Sequence, residues 1–204
     1  MTEASTGTPQ TMDDGAYAHL RVGMTVPEVR LPSTTGETVD VVSSADFTVL
    51  FLYPMTGTPG VALPRRWLQE PGAFGCTAES CSYRDHAAEI AAAGAAVHGV
   101  STQTAAEQRE FAERERIPYP LLSDADHDLV DALRLPLFAA DGHPPRIKRA
   151  TLVIDRERTL RQLMYPIPDP VANAAHALTA IRRLAADPDS TSRLRTPRRR
   201  ESGR

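Results

Sequence analysis

The sequence predicts an α/β protein built on a mixed central sheet. Short apolar runs typical of buried strands alternate with segments of helical periodicity. Two further strand-like runs, 150–154 and 160–165, then flank a turn at 155–159. Alternating strands and helices favour parallel pairing, whereas a closing hairpin is antiparallel, so we expect a mixed sheet flanked by helices.

The remaining elements follow in order along the chain. Two short strands and the turn between them predict an N-terminal hairpin, and Thr104 with Glu107 predicts a capping box at the start of a polar helix. Gly94 is expected to end the helix that precedes this glycine, at 77–93. The predicted hairpin strands are 28–31 and 38–42 around a turn at 33–36, the other strands are 49–53, 96–100 and 121–122, and the helices are 77–93, 104–115, 126–133 and 170–186.

The 204 residues suit one domain, which we place at 19–186 between two tails expected to be disordered. The tail 1–18 lacks periodicity, and the tail 187–204 holds six arginines that form either a solvated segment or an electrostatic docking segment. A net charge of −3 gives no reason to expect nucleic acid or an anionic membrane as partner. With no apolar run near about 20 residues and no features of a secretory signal, the expected location is the cytoplasm.

The only two cysteines, Cys76 and Cys81, lie five residues apart. Structural disulfides are rare in the cytoplasm, so a chemical role is favoured for the pair. Cys76 starts a helix that follows a strand and a Gly- and Pro-rich loop. Unpaired backbone N–H groups and the helix dipole at that position favour a thiolate. Cys76 shares a helix face with Tyr83 and Ile90, whereas Cys81 points elsewhere.

The six histidines and two cysteines show no zinc-ligand spacing, so neither a metal nor a cofactor is expected. His86 and His98 are interpreted as structural. Glu79 either orients an arginine of the site or favours the helix start. Arg84 and Asp85 form either a supporting network near the site or a surface pair.

Four segments, in order, resemble the peroxiredoxins of the Q, or bacterioferritin-comigratory, type. They are YPMTGTPG at 53–60, CTAESCSYRD at 76–85, PLLSD at 120–124 and RATLVID at 149–155, and the resemblance spans residues 22–184. It implies a thioredoxin-like fold and the reduction of H2O2 and organic hydroperoxides by a cysteine thiolate.

The resemblance also implies a role for each matching residue. Cys76 corresponds to the peroxidatic cysteine and Cys81 to the resolving cysteine, which form an intramolecular disulfide. Arg149 corresponds to the active-site arginine, and Pro54 and Thr58 to the signature proline and threonine. The expected reductant is a thioredoxin-like or mycoredoxin-like dithiol protein, and the expected state is a monomer or a homodimer.

The sequence departs from the family pattern at one place. In the family the peroxidatic cysteine follows the threonine by three residues, but here the insertion 61–75 separates them, and Ala73 stands three residues before Cys76. We expect the insertion to loop out so that Thr58 still reaches Cys76. The alternative is that the N–H groups of Gly75 and Cys76 act without it.

The insertion carries the only tryptophan, Trp67, beside Arg65 and Arg66. It is interpreted as a packed surface loop, with a lid or a dimer contact as alternatives.

Two arguments from chemistry constrain the mechanism. A free cysteine is already a few per cent thiolate at pH 7, so full ionisation gains at most about 30-fold in rate. Most of the catalysis must therefore come from donors directed at the leaving oxygen. Helical residues five apart have Cα atoms roughly 8.5 Å apart, whereas a disulfide needs less than about 7 Å. The first helical turn must therefore unwind before the two cysteines can join.

Two other functions remain open from the residues alone. A thioredoxin-type thiol–disulfide oxidoreductase would use a CxxC pair, which this chain lacks, and would not need Arg149. A non-catalytic redox sensor would instead use the Cys76–Cys81 disulfide to alter a contact with a partner.

Overall fold

The computed structural model describes residues 13–61, 67, 70, 72–140 and 142–187. These ranges contain nine strands and four helices. The strands are β1 (Arg30–Pro32), β2 (Thr38–Asp40), β3 (Phe47–Leu52), β4 (Ala95–Ser101), β5 (Leu121–Ser123), β6 (Leu137–Ala140), β7 (His143–Ile147), β8 (Ala150–Asp155) and β9 (Leu160–Met164). The helices are α1 (Cys76–Ala92), α2 (Ala105–Glu115), α3 (Asp128–Leu133) and α4 (Asn173–Ala186).

Five strands form the central sheet, in the order β5-β4-β3-β8-β9. The pairs β3–β4 and β4–β5 are parallel, and the pairs β3–β8 and β8–β9 are antiparallel. The prediction of a mixed α/β sheet is therefore confirmed, as is the N-terminal hairpin, which β1 and β2 form with bounds that differ by one or two residues from those predicted.

Strand β3 lies at the centre of the sheet, and all six of its side chains are buried. Phe47, Val49 and Phe51 face the core shared with α1 and α4, whereas Leu50 and Leu52 face a second core on the other side. This alternation follows from the two-residue period of a strand. A central strand covered on both faces reads in the sequence as a continuous apolar run.

The folded region begins earlier than predicted. Tyr17, which lies within the predicted tail 1–18, is 1% exposed, and its hydroxyl donates a hydrogen bond to the Lys148 carbonyl at 2.7 Å. A large aromatic ring buried in the core fixes the backbone on either side of it. Residues 1–12 and 188–204, including the six arginines, lie outside the described residues.

The hairpin of β6 and β7 was not predicted. Pro144 and Pro145 lie inside β7, and prolines normally argue against a strand because they cannot donate to a ladder. Here β7 pairs only with β6. In such a two-stranded ribbon the outer edge of each strand has no neighbouring strand, so no N–H donor is needed there.

Helix bounds shift for identifiable reasons. Asp124 accepts hydrogen bonds from the N–H groups of Leu129 and Val130, both at 2.9 Å, and so α3 begins at Asp128 rather than at residue 126. The capping box of Thr104 and Glu107 is present as predicted.

Within the described ranges, none of the helices combines the length and the apolar character that crossing a bilayer requires.

Candidate active site

The site is built at the N-terminus of α1. Gly75 is the N-cap residue, with a left-handed backbone at φ 91°, and a Cβ at this position would lie 2.9 Å from Cγ of Pro170. Only glycine fits both constraints. No side chain caps this helix end, and the first intrahelical N–H bond runs from Glu79 to the Gly75 carbonyl at 2.8 Å. The backbone N–H groups before it therefore have no intrahelical partner.

Cys76 is the first residue of α1 and is 4% exposed. Its Sγ lies 3.1 Å from Nη2 of Arg149, which donates to it, and 3.5 Å from the Ala73 carbonyl. A thiol can donate to the carbonyl, whereas a thiolate accepts a charge-assisted hydrogen bond from the guanidinium. The guanidinium therefore places a permanent positive charge within hydrogen-bond distance of the Cys76 sulfur.

Arg149 directly precedes β8, and each of its three guanidinium nitrogens has a hydrogen-bond partner. Nε donates to the Gly72 carbonyl at 2.9 Å, Nη2 also donates to the Phe74 carbonyl at 2.8 Å, and Nη1 pairs with Glu79. Both carbonyls belong to the C-terminal end of the insertion. The insertion therefore helps to orient the arginine through its backbone.

Glu79 is fully buried, and its ion pair with Arg149 is shielded from water. The sequence left its role open between orienting an arginine and favouring the helix start, and the structure shows the contact with Arg149. Asn173 on α4 donates from Nδ2 to Oε1 of Glu79 at 2.7 Å and to Oγ1 of Thr151 at 2.8 Å. The Tyr83 hydroxyl lies 3.4 Å from the same Thr151 oxygen, and burial raises the pKa of Tyr83, so this phenol stays neutral.

Asn173 and Thr151 were not predicted from the sequence. Asn173 lies on the buried stripe of α4, together with Ala177, Ile181 and Leu184. A polar residue at a position of such a stripe is a usable signal, because a buried amide must find hydrogen-bond partners. Its partner Glu79 lies 94 residues earlier in the chain, and no local pattern identifies that pairing.

The signature residues Pro54 and Thr58 lie in different surroundings. Pro54 is buried at the end of β3, whereas Thr58 is exposed and lines a shallow cavity with residues of α2, among them Glu107 and Glu110. Within the described part of the chain, no hydrogen bond joins Thr58 to Cys76. The structure thus shows no hydrogen bond for the expected contact between Thr58 and the Cys76 sulfur, and the choice between Thr58 and the backbone N–H groups stays a prediction.

Cys81 lies on a different side of α1 and is half-buried. Its Sγ donates to Oε2 of Glu115 at 3.8 Å. Burial raises the pKa of Cys81, Glu115 acts in the same direction, and Arg84 opposes the shift. Both cysteines are free thiols within one continuous helix, which is the starting geometry that the unwinding argument requires.

Arg84 and Asp85 form a solvent-accessible ion pair at 2.9 Å, with side chains 32% and 62% exposed. The surface-pair interpretation fits this geometry, although Arg84 also donates to the Glu115 carbonyl at 2.7 Å. His86 and His98 hydrogen-bond to backbone carbonyls through Nδ1, as structural histidines do.

Trp67 of the insertion is buried in a small cluster with Met55, Ala73 and Phe138. This burial fits the expected packed loop. Arg65 and Arg66 lie outside the described residues. Among the described residues, no group of His, Cys, Asp and Glu is arranged to hold a metal ion.

Comparisons with known proteins find similar sequences and similar folds. The model of the AhpC/TSA family matches residues 66–163. The crystal structure of peroxidoxin BcpB from Mycobacterium tuberculosis is 33% identical, with a TM-score of 0.66 and coverage of 81% of this chain and 98% of that one. Peroxiredoxin Bcp of Bacillus subtilis is 28% identical, with coverage of 78% of this chain and 95% of the relative. The bacterioferritin comigratory protein of Xanthomonas campestris, at 21% identity, a TM-score of 0.62 and coverage of 84% and 94%, shares the fold.

Because the Arg149–Glu79 pair is buried, removing its acid should cost more stability than removing the acid of a surface pair. Glu79→Gln should lower the free energy of unfolding by about 3–5 kcal/mol, because it leaves the Arg149 charge buried without a counter-ion. Glu89→Gln on the same helix removes the partner of Arg182 from a pair whose side chains are 58% and 60% exposed, and should cost less than about 1 kcal/mol. Urea unfolding followed by circular dichroism measures both values. Equal losses would show that the Arg149–Glu79 pair contributes no more than a surface pair.

Proposed function

The chain belongs to the peroxiredoxin family and is a thiol-dependent peroxidase, and on this premise we propose that Cys76 is the residue that attacks the hydroperoxide. The observation that carries the proposal is the hydrogen bond from Nη2 of Arg149 to the Cys76 sulfur at 3.1 Å, at an uncapped helix N-terminus. Cys81 has no comparable cationic donor on its sulfur among the described contacts, and its raised pKa argues against its being the first nucleophile.

The proposed peroxide step uses this geometry directly. The Cys76 thiolate attacks one peroxide oxygen, the O–O bond breaks, and an alcohol or water leaves while Cys76 becomes a sulfenic acid. The developing negative charge lies on the leaving oxygen. In this mechanism Arg149 and the first N–H groups of α1 stabilise that charge, while the role of Pro54 in shielding the sulfur from water stays a prediction. A role for Thr58 stays a prediction.

We propose that both H2O2 and organic hydroperoxides are substrates. The related bacterioferritin comigratory protein of Xanthomonas campestris is described as having alkyl peroxide reduction activity. In this chain Phe74 and Val171 are large exposed apolar residues, 46% and 57% exposed, and both lie near the start of α1. Gly75 follows Phe74 directly, and Pro170, against which Gly75 packs, precedes Val171. These exposed apolar side chains near Cys76 suit the alkyl group of an organic hydroperoxide better than polar side chains would.

The sulfenic acid is resolved, in our proposal, by Cys81 as an intramolecular disulfide. Because both residues begin inside α1, the first turn must unwind to bring the sulfurs within bonding distance. A thioredoxin-like or mycoredoxin-like dithiol protein then reduces the disulfide. The cytoplasm and a monomeric or homodimeric state stay predictions from the sequence.

Replacing the attacking sulfur tests the assignment of Cys76. Cys76→Ser should abolish turnover of both H2O2 and an organic hydroperoxide, because a serine hydroxyl is barely ionised at neutral pH. Peroxide consumption with each candidate dithiol reductant measures this. A Cys76→Ser variant with near wild-type turnover would remove Cys76 from the reaction.

The arginine is best tested by a variant that keeps its charge. Arg149→Ala would strand Glu79 in the core, whereas Arg149→Lys retains a cation but cannot bind Glu79, two carbonyls and the sulfur at once. The second-order rate with peroxide should fall by about 10²–10³, as when one oxyanion donor is lost.

Arg158→Lys is the matched control, since Arg158 also makes several hydrogen bonds, to Asp40 and to the Val26 and Pro27 carbonyls, but lies beyond the opposite end of β8. Stopped-flow competition for peroxide compares the two variants. Equal rates in both would show that the guanidinium does not act in the peroxide step.

Cys81→Ser separates the two chemical steps. The variant should still react with one equivalent of peroxide, then stall as the sulfenic acid and over-oxidise to sulfinic acid in excess peroxide. The oxidised wild type should instead show a Cys76–Cys81 link by mass spectrometry and faster amide exchange in the first turn of α1. Full turnover by Cys81→Ser would point to direct reduction of the sulfenic acid by an external thiol.

A further inference from the structure

Cys81 has one acidic neighbour, Glu115, among the contacts described for its sulfur. The thiol donates to Oε2 of Glu115 at 3.8 Å, a long hydrogen bond from sulfur. The other carboxylate oxygen, Oε1, accepts a hydrogen bond from Nε of Arg114 at 3.2 Å. One oxygen is thus held by an arginine while the other faces the thiol, so the carboxylate is oriented toward Cys81.

The surroundings leave the thiol protonated. The charged groups facing it are Arg84 and Asp85 on α1 and Glu115 on α2, and burial is the main cause of its raised pKa. A protonated thiol is a poor nucleophile, because the thiolate is the reactive form. Resolution at neutral pH therefore needs a group that removes this proton.

The contacts of α1 indicate which part of the helix moves. The Ser80 carbonyl accepts a bond from the Tyr119 hydroxyl at 2.7 Å, the Ser82 hydroxyl donates to the Val171 carbonyl at 2.7 Å, and Arg84 donates to the Glu115 carbonyl at 2.7 Å. These three bonds flank Cys81 and tie that stretch of helix to its neighbours. In the first turn, Glu79 is held by its ion pair with Arg149, but Thr77 and Ala78 before it are exposed, and no side chain caps the helix.

Unwinding the residues before Glu79 thus brings Cys76 toward Cys81, while Cys81 stays against Glu115. We propose that Glu115 is the catalytic base of the resolving step, an inference that rests on the proposed function of the two cysteines. Glu115 takes the proton from Cys81, and the thiolate attacks the sulfur of the Cys76 sulfenic acid. The S–S bond forms, the S–O bond breaks, and the departing hydroxide takes the proton from Glu115 and leaves as water.

The test measures the resolving step by itself. The full-length reduced protein is mixed with one equivalent of H2O2, quenched in acid at intervals and alkylated, and intact mass gives the fractions of sulfenic acid and disulfide. Glu115→Gln should slow disulfide formation by about 10²-fold at pH 7, the lower range for loss of a general base, while the rate of the peroxide step stays unchanged.

Two matched variants and the pH dependence exclude a merely structural role. Glu113→Gln alters an exposed carboxylate on the same helix and should resolve at the wild-type rate, whereas Glu115→Asp should recover part of the lost rate. The deficit of Glu115→Gln should also shrink as pH rises, because hydroxide then ionises Cys81 without the base. A packing defect would persist at every pH.

The opposite outcome has a physical meaning. If Glu115 acts only as a negative charge that disfavours the Cys81 thiolate, then Glu115→Gln should resolve faster than wild type, and a rate equal to or above wild type overturns the proposal. Cys81→Ser distinguishes this failure from failure of the proposed function. A stalled Cys81→Ser with an unaffected Glu115→Gln rejects the base alone, whereas full turnover by Cys81→Ser rejects Cys81 as the resolving residue.

Discussion

The site depends on one buried ion pair, between Arg149 and Glu79. A guanidinium enclosed in protein is stable only when its charge is compensated and its donors are satisfied. Here Glu79 provides the charge, and the carbonyls of Gly72 and Phe74 satisfy further donors. What remains is a donor directed at the Cys76 sulfur. The arginine thereby joins the helix, the insertion and the start of β8 in one arrangement, so the fold itself determines the position of the reactive centre.

Much of the fold and of the candidate site was predictable, because both are encoded in local sequence patterns. The mixed sheet follows from alternating patterns of period two and period 3.6, and Cys76, Cys81 and Arg149 lie in contiguous motifs. The hairpin of β6 and β7 was missed because proline normally excludes a strand, a rule that a two-stranded ribbon relaxes. Asn173 was missed for a different reason, since its role depends on a contact between two helices that are distant in sequence.

The insertion is the place where the family motif no longer predicts which residues are in contact. A spacing of three residues lets a hydroxyl and a thiol share one turn, and fifteen additional residues remove that coupling. The structure leaves Thr58 beside α2, while the end of the insertion supplies backbone carbonyls to Arg149. The positions of individual loop residues are set by tertiary packing, which a linear pattern does not contain.

The burial of Trp67 has a practical consequence. The chain has a single tryptophan, and this residue packs in one cluster with Ala73, three residues before the reactive cysteine. Indole emission depends on the polarity and rigidity of its surroundings. Any rearrangement of the segment between the insertion and α1 therefore has a built-in optical signal, free of background from other indoles, and the protein can be followed through its catalytic cycle without an attached dye.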